Sequence, residues 1–199
     1  MSKFTRVDTK ITDLETLKAA LDRMGIEYRV GDNLTAHRYT AGRVNVRGAV
    51  MVIPRQETER FSVEYSDTIV RIGPDGYVAF EHDHYSTPIH TLVSAYALEK
   101  TLKAAHAQGF NIKEQELQRD GSVRLLMQKR SNPRERIEGT VKPDGSLELE
   151  AKGFKGKACS IPVSKLQQAV GGDILEEKNT RDYYDDKGQG VAVKNWDRW

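Results

Sequence analysis

Three times this chain sets an Asp-Gly pair between two runs of alternating polar and apolar residues. The pairs stand at Pro74-Asp75-Gly76, Arg119-Asp120-Gly121 and Pro143-Asp144-Gly145. An Asp-Gly pair in that setting is a strong hairpin signal, because a tight two-residue turn needs positive φ, which glycine adopts without steric cost. The turns predict hairpins of 61–72 with 77–82, of 112–117 with 123–129, and of 137–141 with 147–152. Helical periodicity lies between them. The pattern therefore predicts an α+β chain with antiparallel, hairpin-rich sheets and helices packed on one face.

The first helix is predicted from Leu14, Leu17, Ala20, Leu21 and Met24, with Thr12 or Asp13 as its cap and Gly25 as its stop. Strands are expected at 4–11 and 26–30. The unbroken apolar run 49–53 is short enough for a buried strand, whereas 34–43 shows no clear period. A long helix is expected from Thr87 to Gly109, with Leu92, Ala95, Tyr96, Leu98, Leu102 and Ala105 on one apolar side. A further helix is expected over 162–170. The polar, proline-containing stretch 131–136 is the best boundary, giving α+β units over 1–132 and 133–185 and a flexible tail over 186–199. From residue 173 onward loose order is expected, except where Tyr183, Tyr184, Trp196 or Trp199 find a surface.

The charge balance, 31 basic against 29 acidic residues in 199, leaves a net +2 and argues against a protein that coats nucleic acid. The single cysteine, Cys159, suits a reducing cytosol. No run of about 18 apolar residues occurs, and no apolar leader opens the chain. A cytoplasmic protein without a membrane partner is expected.

Met1-Ser2-Lys3-Phe4-Thr5 and the helix Asp13-Leu14-Glu15-Thr16-Leu17-Lys18-Ala19-Ala20-Leu21 resemble the start of the hypothetical chloroplast reading frame 35 family, also called domain of unknown function 1257. The block from Tyr96 through Gly109-Phe110 to Gly121-Ser122-Val123-Arg124-Leu125 is similar to a later stretch of that family. Residues 137–184 resemble domain of unknown function 2997. The match lies in Pro143-Asp144-Gly145, Gly153-Phe154-Lys155-Gly156-Lys157-Ala158-Cys159 and Thr180-Arg181-Asp182-Tyr183-Tyr184. The resemblance implies a fusion of two families in a cyanobacterial, plastid-related or phage-type setting, beside accessory genes that include AAA-type ATPases. It brings no catalytic residue set.

Two constellations have chemical potential. His82, His84 and His90 cluster beside Glu81 and Asp83, a donor set suited to zinc or a similar divalent ion. No H-E-x-x-H or C-x-x-C spacing accompanies them, and polar rings at a strand end and a helix start read equally as surface or capping groups. The second is a lysine-free stretch from Arg29 to Arg60 with Arg38, Arg43, Arg47 and Arg55, whose net charge is +3. Arg43, Asn45 and Arg47 alternate with Val44 and Val46, placing two guanidiniums and an amide on one strand face, with Tyr39 available for stacking. Such forks bind phosphate, carboxylate or single-stranded nucleic acid. A solvated edge strand would look the same.

Gly153 to Ser160 lacks the G-x-x-x-x-G-K-[ST] spacing of a phosphate loop, and Cys159 reads as a small apolar residue. The leading expectation is a non-enzymatic accessory or adaptor protein that binds a larger assembly as its protein partner, such as an AAA-type ATPase, docked through Tyr183, Tyr184, Trp196 and Trp199. The alternatives are a nucleic-acid or anionic-ligand binder using Arg38, Tyr39, Arg43, Asn45 and Arg47, and a metal-dependent enzyme at His82, His84 and His90. No cofactor is specified.

Overall fold

A computed structural model describes residues 3–7, 10–58, 66–81, 89–154, 160–171 and 174–179. The elements run β1 (Lys3–Val7), α1 (Leu14–Met24), β2 (Arg29–Val30), β3 (Thr35–Arg38), β4 (Gly42–Asn45), β5 (Met51–Ile53), α2 (Arg55–Thr58), β6 (Thr68–Ile72) and β7 (Val78–Glu81). They continue as α3 (Ile89–Ala107), β8 (Phe110–Leu117), β9 (Val123–Lys129), β10 (Arg136–Val141), β11 (Leu147–Lys152), α4 (Ser160–Val170) and β12 (Ile174–Asn179). The class is α+β. A six-stranded sheet has the order β12-β1-β11-β10-β9-β8, a four-stranded sheet the order β2-β5-β6-β7, and β3 pairs with β4 alone. Every pairing is antiparallel.

All three Asp-Gly hairpins form, but with a longer turn than the two-residue one expected. Gly73 N–H donates to Tyr77 O at 2.8 Å, Gln118 N–H to Ser122 O at 2.8 Å, and Lys142 N–H to Ser146 O at 2.8 Å. Inside each, the glycine amide returns to the residue three back. Only the glycine has positive φ: 80° at Gly76, 82° at Gly121 and 82° at Gly145. This is a type I turn followed by a left-handed glycine. Each aspartate reinforces it, since Asp75, Asp120 and Asp144 each accept the amide two residues on, at 3.1, 3.0 and 2.8 Å.

The four-stranded sheet is covered on both faces. Leu17 and Leu21 of α1 pack against Met51, Ile53 and Val70, while Leu34, Ala36 and Val46 of the β3–β4 region pack against Val52 and Ile69. Alternate residues of β5 thus face two cores, which is why its sequence is apolar throughout. The β3–β4 hairpin occupies the stretch without a clear period. Its strands have four residues each, too short to establish an alternation.

Helix α3 lies between the two sheets. Its Leu92 and Tyr96 join α1, β5 and β6, whereas Ala97, Leu98, Leu102 and Ala105 join Leu125, Met127, Ile137, Leu149 and the α4 residues Val163, Leu166 and Val170. The single apolar side expected of this helix is corrected: a helix buried among neighbours is apolar most of the way round. Polar ties fix α1 to it. Lys100 Nζ donates to Asp13 Oδ2 at 2.9 Å, Lys103 Nζ to Thr16 Oγ1 at 3.2 Å, and Arg23 pairs with Glu99.

The stretch 131–136 is not a boundary between independent units. Strand β9 pairs with β10 from Val123↔Val141 to Gln128↔Arg136, and Lys129 N–H closes the connection on Glu135 O at 2.9 Å. Strand β1 pairs with both β11 and β12, so both sides of residue 132 build one sheet and one core. Strand β12 also corrects the loose order expected over its residues, because β1 offers it a hydrogen-bonding edge. The expected tail lies outside the described residues.

Candidate functional site: an arginine-lined pocket

Antiparallel pairing of Ile53 with Thr68 sets the end of β5 beside the start of β6. There, Arg29, His37, Arg43, Pro54, Arg55, Gln56 and Asp67 line a pocket of about 330 Å³. Each charged side chain arrives from a different place: Arg29 from β2, His37 from β3, Arg43 from β4, Arg55 from the start of α2 and Asp67 from the approach to β6.

Asp67 organises the site. Its Oδ2 accepts the His37 amide at 2.9 Å and Arg29 Nη2 at 3.1 Å, and its Oδ1 accepts the Arg55 amide at 3.1 Å. Its own amide donates to His37 O at 2.9 Å. The carboxylate is 7% exposed, so these contacts replace its hydration shell rather than supplement it. Arg55 Nη1 lies 3.0 Å from His37 Nδ1. His37 and Arg43 are direct cross-strand partners and therefore share a face of the hairpin. Arg43 is exposed, and among the described residues no hydrogen bond or ion pair engages its guanidinium. Arg29 Nε is buried with no hydrogen-bond partner among the described residues. Among the described residues, three guanidiniums and one carboxylate line the pocket.

Of the strand residues expected to bind anions, only Arg43 lines this pocket. Arg38 sits one residue from His37, so the period of two turns it to the opposite face, where it pairs with Glu81. Arg71 Nε also donates to Glu81, at 2.8 Å. The Arg71 and then the Arg38 hydrogen bonds hold the Glu81 carboxyl below the ordinary glutamate range. Asn45 is exposed at the end of β4, and Tyr39 is 60% exposed at the hairpin turn. Arg47 lies past the end of β4, and its carbonyl accepts from Arg71. The array of Arg43, Asn45 and Arg47 along one strand is corrected accordingly: the strand ends at Asn45. Sequence reasoning missed His37 and Asp67. Arg29 and Arg55 stood in the lysine-free arginine stretch, which was the signal available for them.

The other expected sites fall mostly elsewhere. His82, His84, Cys159, Tyr183, Tyr184, Trp196 and Trp199 lie outside the described residues. His90 is in the first turn of α3, and its side chain is likewise outside the description. Among the described residues no group of three or more His, Cys, Asp or Glu side chains is placed to hold a metal ion. Among them, too, no helix is long and apolar enough to cross a membrane.

The large sheet carries a charge ladder, beside a smaller pocket of about 170 Å³ lined by Arg124, Glu138, Thr140, Glu148 and Glu150. Glu138 meets Lys152 Nζ at 3.0 Å and Arg136 Nε at 3.5 Å, and Lys142 Nζ meets Glu148 at 2.5 Å. Opposite charges on neighbouring strands suit a solvated sheet face.

Comparison with known proteins covers most of the chain. The family described as "Protein of unknown function (DUF1257)" matches residues 20–126, and "Protein of unknown function (DUF2997)" matches residues 137–184. An "Uncharacterized protein ycf35" of Pyropia yezoensis is 24% identical over 129 residues, covering 65% of this chain and 98% of that protein. One of Guillardia theta is 24% identical over 131 residues, with the same coverage. Every residue lining the pocket falls inside the longer family match. The chain belongs to the DUF1257 family, to which the resemblance to the hypothetical chloroplast reading frame 35 proteins pointed, and carries a DUF2997 segment after it.

Proposed function

We propose that this protein acts by binding, and that its recognition element is the arginine-lined pocket, which takes an anionic group. The observation that carries this reading is the convergence of Arg29, Arg43 and Arg55 around one cavity with Asp67 as brace. The Arg29 guanidinium, held by the buried Asp67 carboxylate, loses little conformational freedom when an oxyanion arrives. The Asp67 oxygens are already occupied by two amides and Arg29, so the carboxylate supports the pocket and is not itself an open cation ligand.

Thermal unfolding with inorganic phosphate, across a salt series, tests the reading. A ligand for the folded state raises the melting temperature, and an electrostatic one loses that effect as salt rises. No shift with any oxyanion ends it. The setting proposed is an accessory or adaptor role in the cytoplasm, on a larger assembly such as an AAA-type ATPase. Co-purification from the native host, with wild type and Arg43→Ala compared, tests whether the pocket serves that role.

A further inference from the structure

We infer that the outer edge of β8 is a docking strand, which takes an extended segment of another protein by strand addition. The segment it selects carries basic residues on one face and an apolar residue on the other. This surface is separate from the arginine-lined pocket, and the inference does not depend on that pocket. Strand β8 ends the six-stranded sheet, and among the described residues no strand pairs with its second edge. It is eight residues long, and Lys113 to Leu117 are all exposed. The hydrogen bond from Gln118 N–H to Ser122 O sets the phase of the ladder, because antiparallel bonds fall on alternate residue pairs. Gln115 and Leu117 stand at the pairs between, opposite Leu125 and Val123, so their amides and carbonyls turn away from β9. Two residues thus offer donors and acceptors to an incoming backbone.

Side chains set the chemistry of the partner. Directly opposed residues share a face, so Gln115 and Leu117 lie with Leu125 and Val123 on the helix-covered face. Glu114 and Glu116 lie on the opposite face, with Leu126 and Arg124. Leu117 is 76% exposed, the most exposed large apolar side chain among the described residues. An apolar residue laid beside it would extend the layer that Val123 begins. Arg124 pairs with Glu138 at 3.8 Å rather than with Glu116, and among the described residues no ion pair engages Glu114 or Glu116. Basic residues opposite these two glutamates complete the outer face. A bulge between Ile112 and Glu114 limits the straight run to Glu114–Leu117. A second copy of β8 is the wrong occupant. Two-fold pairing keeps each side chain on its own face, so a register centred on Glu114, Gln115 or Glu116 sets one glutamate against itself or the other. The charges that block self-pairing are therefore the ones that favour a basic strand.

Fluorescence anisotropy of the full chain with short labelled peptides tests this. One peptide alternates valine with lysine, and a second alternates valine with glutamate. Two more are the valine–lysine peptide N-methylated either at its valine amides, which would face β8, or at its lysine amides, which would face away. The valine–lysine peptide is expected to bind roughly tenfold tighter than the valine–glutamate one, or better. Methylation at valine abolishes that binding, and methylation at lysine keeps it. Gln115→Pro removes an amide that β9 does not use and is expected to abolish binding. Glu116→Lys leaves the backbone intact and weakens binding roughly tenfold, so the inference stays testable if the proline variant does not fold. Equal affinity for the two charge patterns, or for the two methylated peptides, overturns the inference. So does unchanged binding by Glu116→Lys, or silence with every peptide. A dimer in sedimentation that Glu116→Lys alters would make a second copy the occupant, and would overturn it as well.

Discussion

Lys100 on α3 reaches the carboxylate that caps α1: its Nζ lies 2.9 Å from Asp13 Oδ2, across 87 positions of sequence. The same carboxylate accepts the amides of Glu15 and Thr16 at 3.0 and 3.3 Å. One side chain thus ends a helix and fastens it to the central helix of the molecule.

That double duty gives the Asp13 contribution a pH dependence. Partial burial alone would raise its pKa, but the Thr16 hydroxyl and then the Lys100 ammonium outweigh it and hold the carboxyl well below the ordinary aspartate range. A depressed folded value means that stability is fully present above the unfolded value of about 3.9 and is lost as pH falls below it. Asp13→Ala is expected to cost about 1–2 kcal/mol at neutral pH, with the difference from wild type shrinking as the solution is acidified. Urea unfolding at several pH values checks the sign.

Asp67→Ala removes the acceptor shared by the amides of His37 and Arg55 and by the Arg29 guanidinium. Leaving those donors without a partner is expected to cost about 1–3 kcal/mol. Because three elements lose their common anchor, phosphate affinity is expected to fall even though a negative charge has been taken out of a cationic pocket. A simple charge effect would raise it. Calorimetric titration beside chemical unfolding separates the two.

Gly153→Ala is expected to be among the most damaging small changes. Gly153 has φ 78°, and a Cβ there would overlap Arg134 O, a backbone atom that cannot swing aside. Gly76 has a similar φ of 80° with nothing within 4 Å of a Cβ. Gly76→Ala isolates the backbone cost of about 1–2 kcal/mol, and Gly153→Ala is expected to exceed it. Melting temperatures of the two variants side by side measure the excess.

Expressed alone, residues 1–132 are expected not to give a folded, monomeric product. Leu125, Met127 and Phe110 would lose Ile137, Leu147, Leu149 and the α4 residues from their core, β1 would lose both of its neighbours, and β9 would keep β8 but lose β10. Size-exclusion chromatography and circular dichroism of the fragment, alone and mixed with 133–199, check this. A cooperative, monomeric fragment would contradict it.

Legibility from sequence followed the range of the interactions involved. The Asp-Gly turns, the Asp13 cap and the β5 run are local: turn chemistry, capping and burial leave their mark within a few residues. What stayed hidden depends on distant partners. Strand β12 exists because β1 lies beside it, and its own residues, Ile174 to Asn179, read as polar and acidic. The α3 surface looked one-sided because Ala97 is small and unassertive in a sequence, and because nothing local shows that Leu98, Leu102 and Ala105 face a different core from Leu92 and Tyr96. At the pocket, Arg43 was legible from its strand alternation. Asp67 was not, since nothing near it announces that three elements will converge on its carboxylate.

Strand β1 sits between β11 and β12, the last two strands among the described residues. During synthesis on the ribosome β1 therefore emerges long before either strand that can give it a hydrogen-bonding neighbour. Local hairpins can close as they appear, but the sheet stays open along that seam until β11 and β12 have emerged. Truncated nascent chains would be the species most in need of a chaperone.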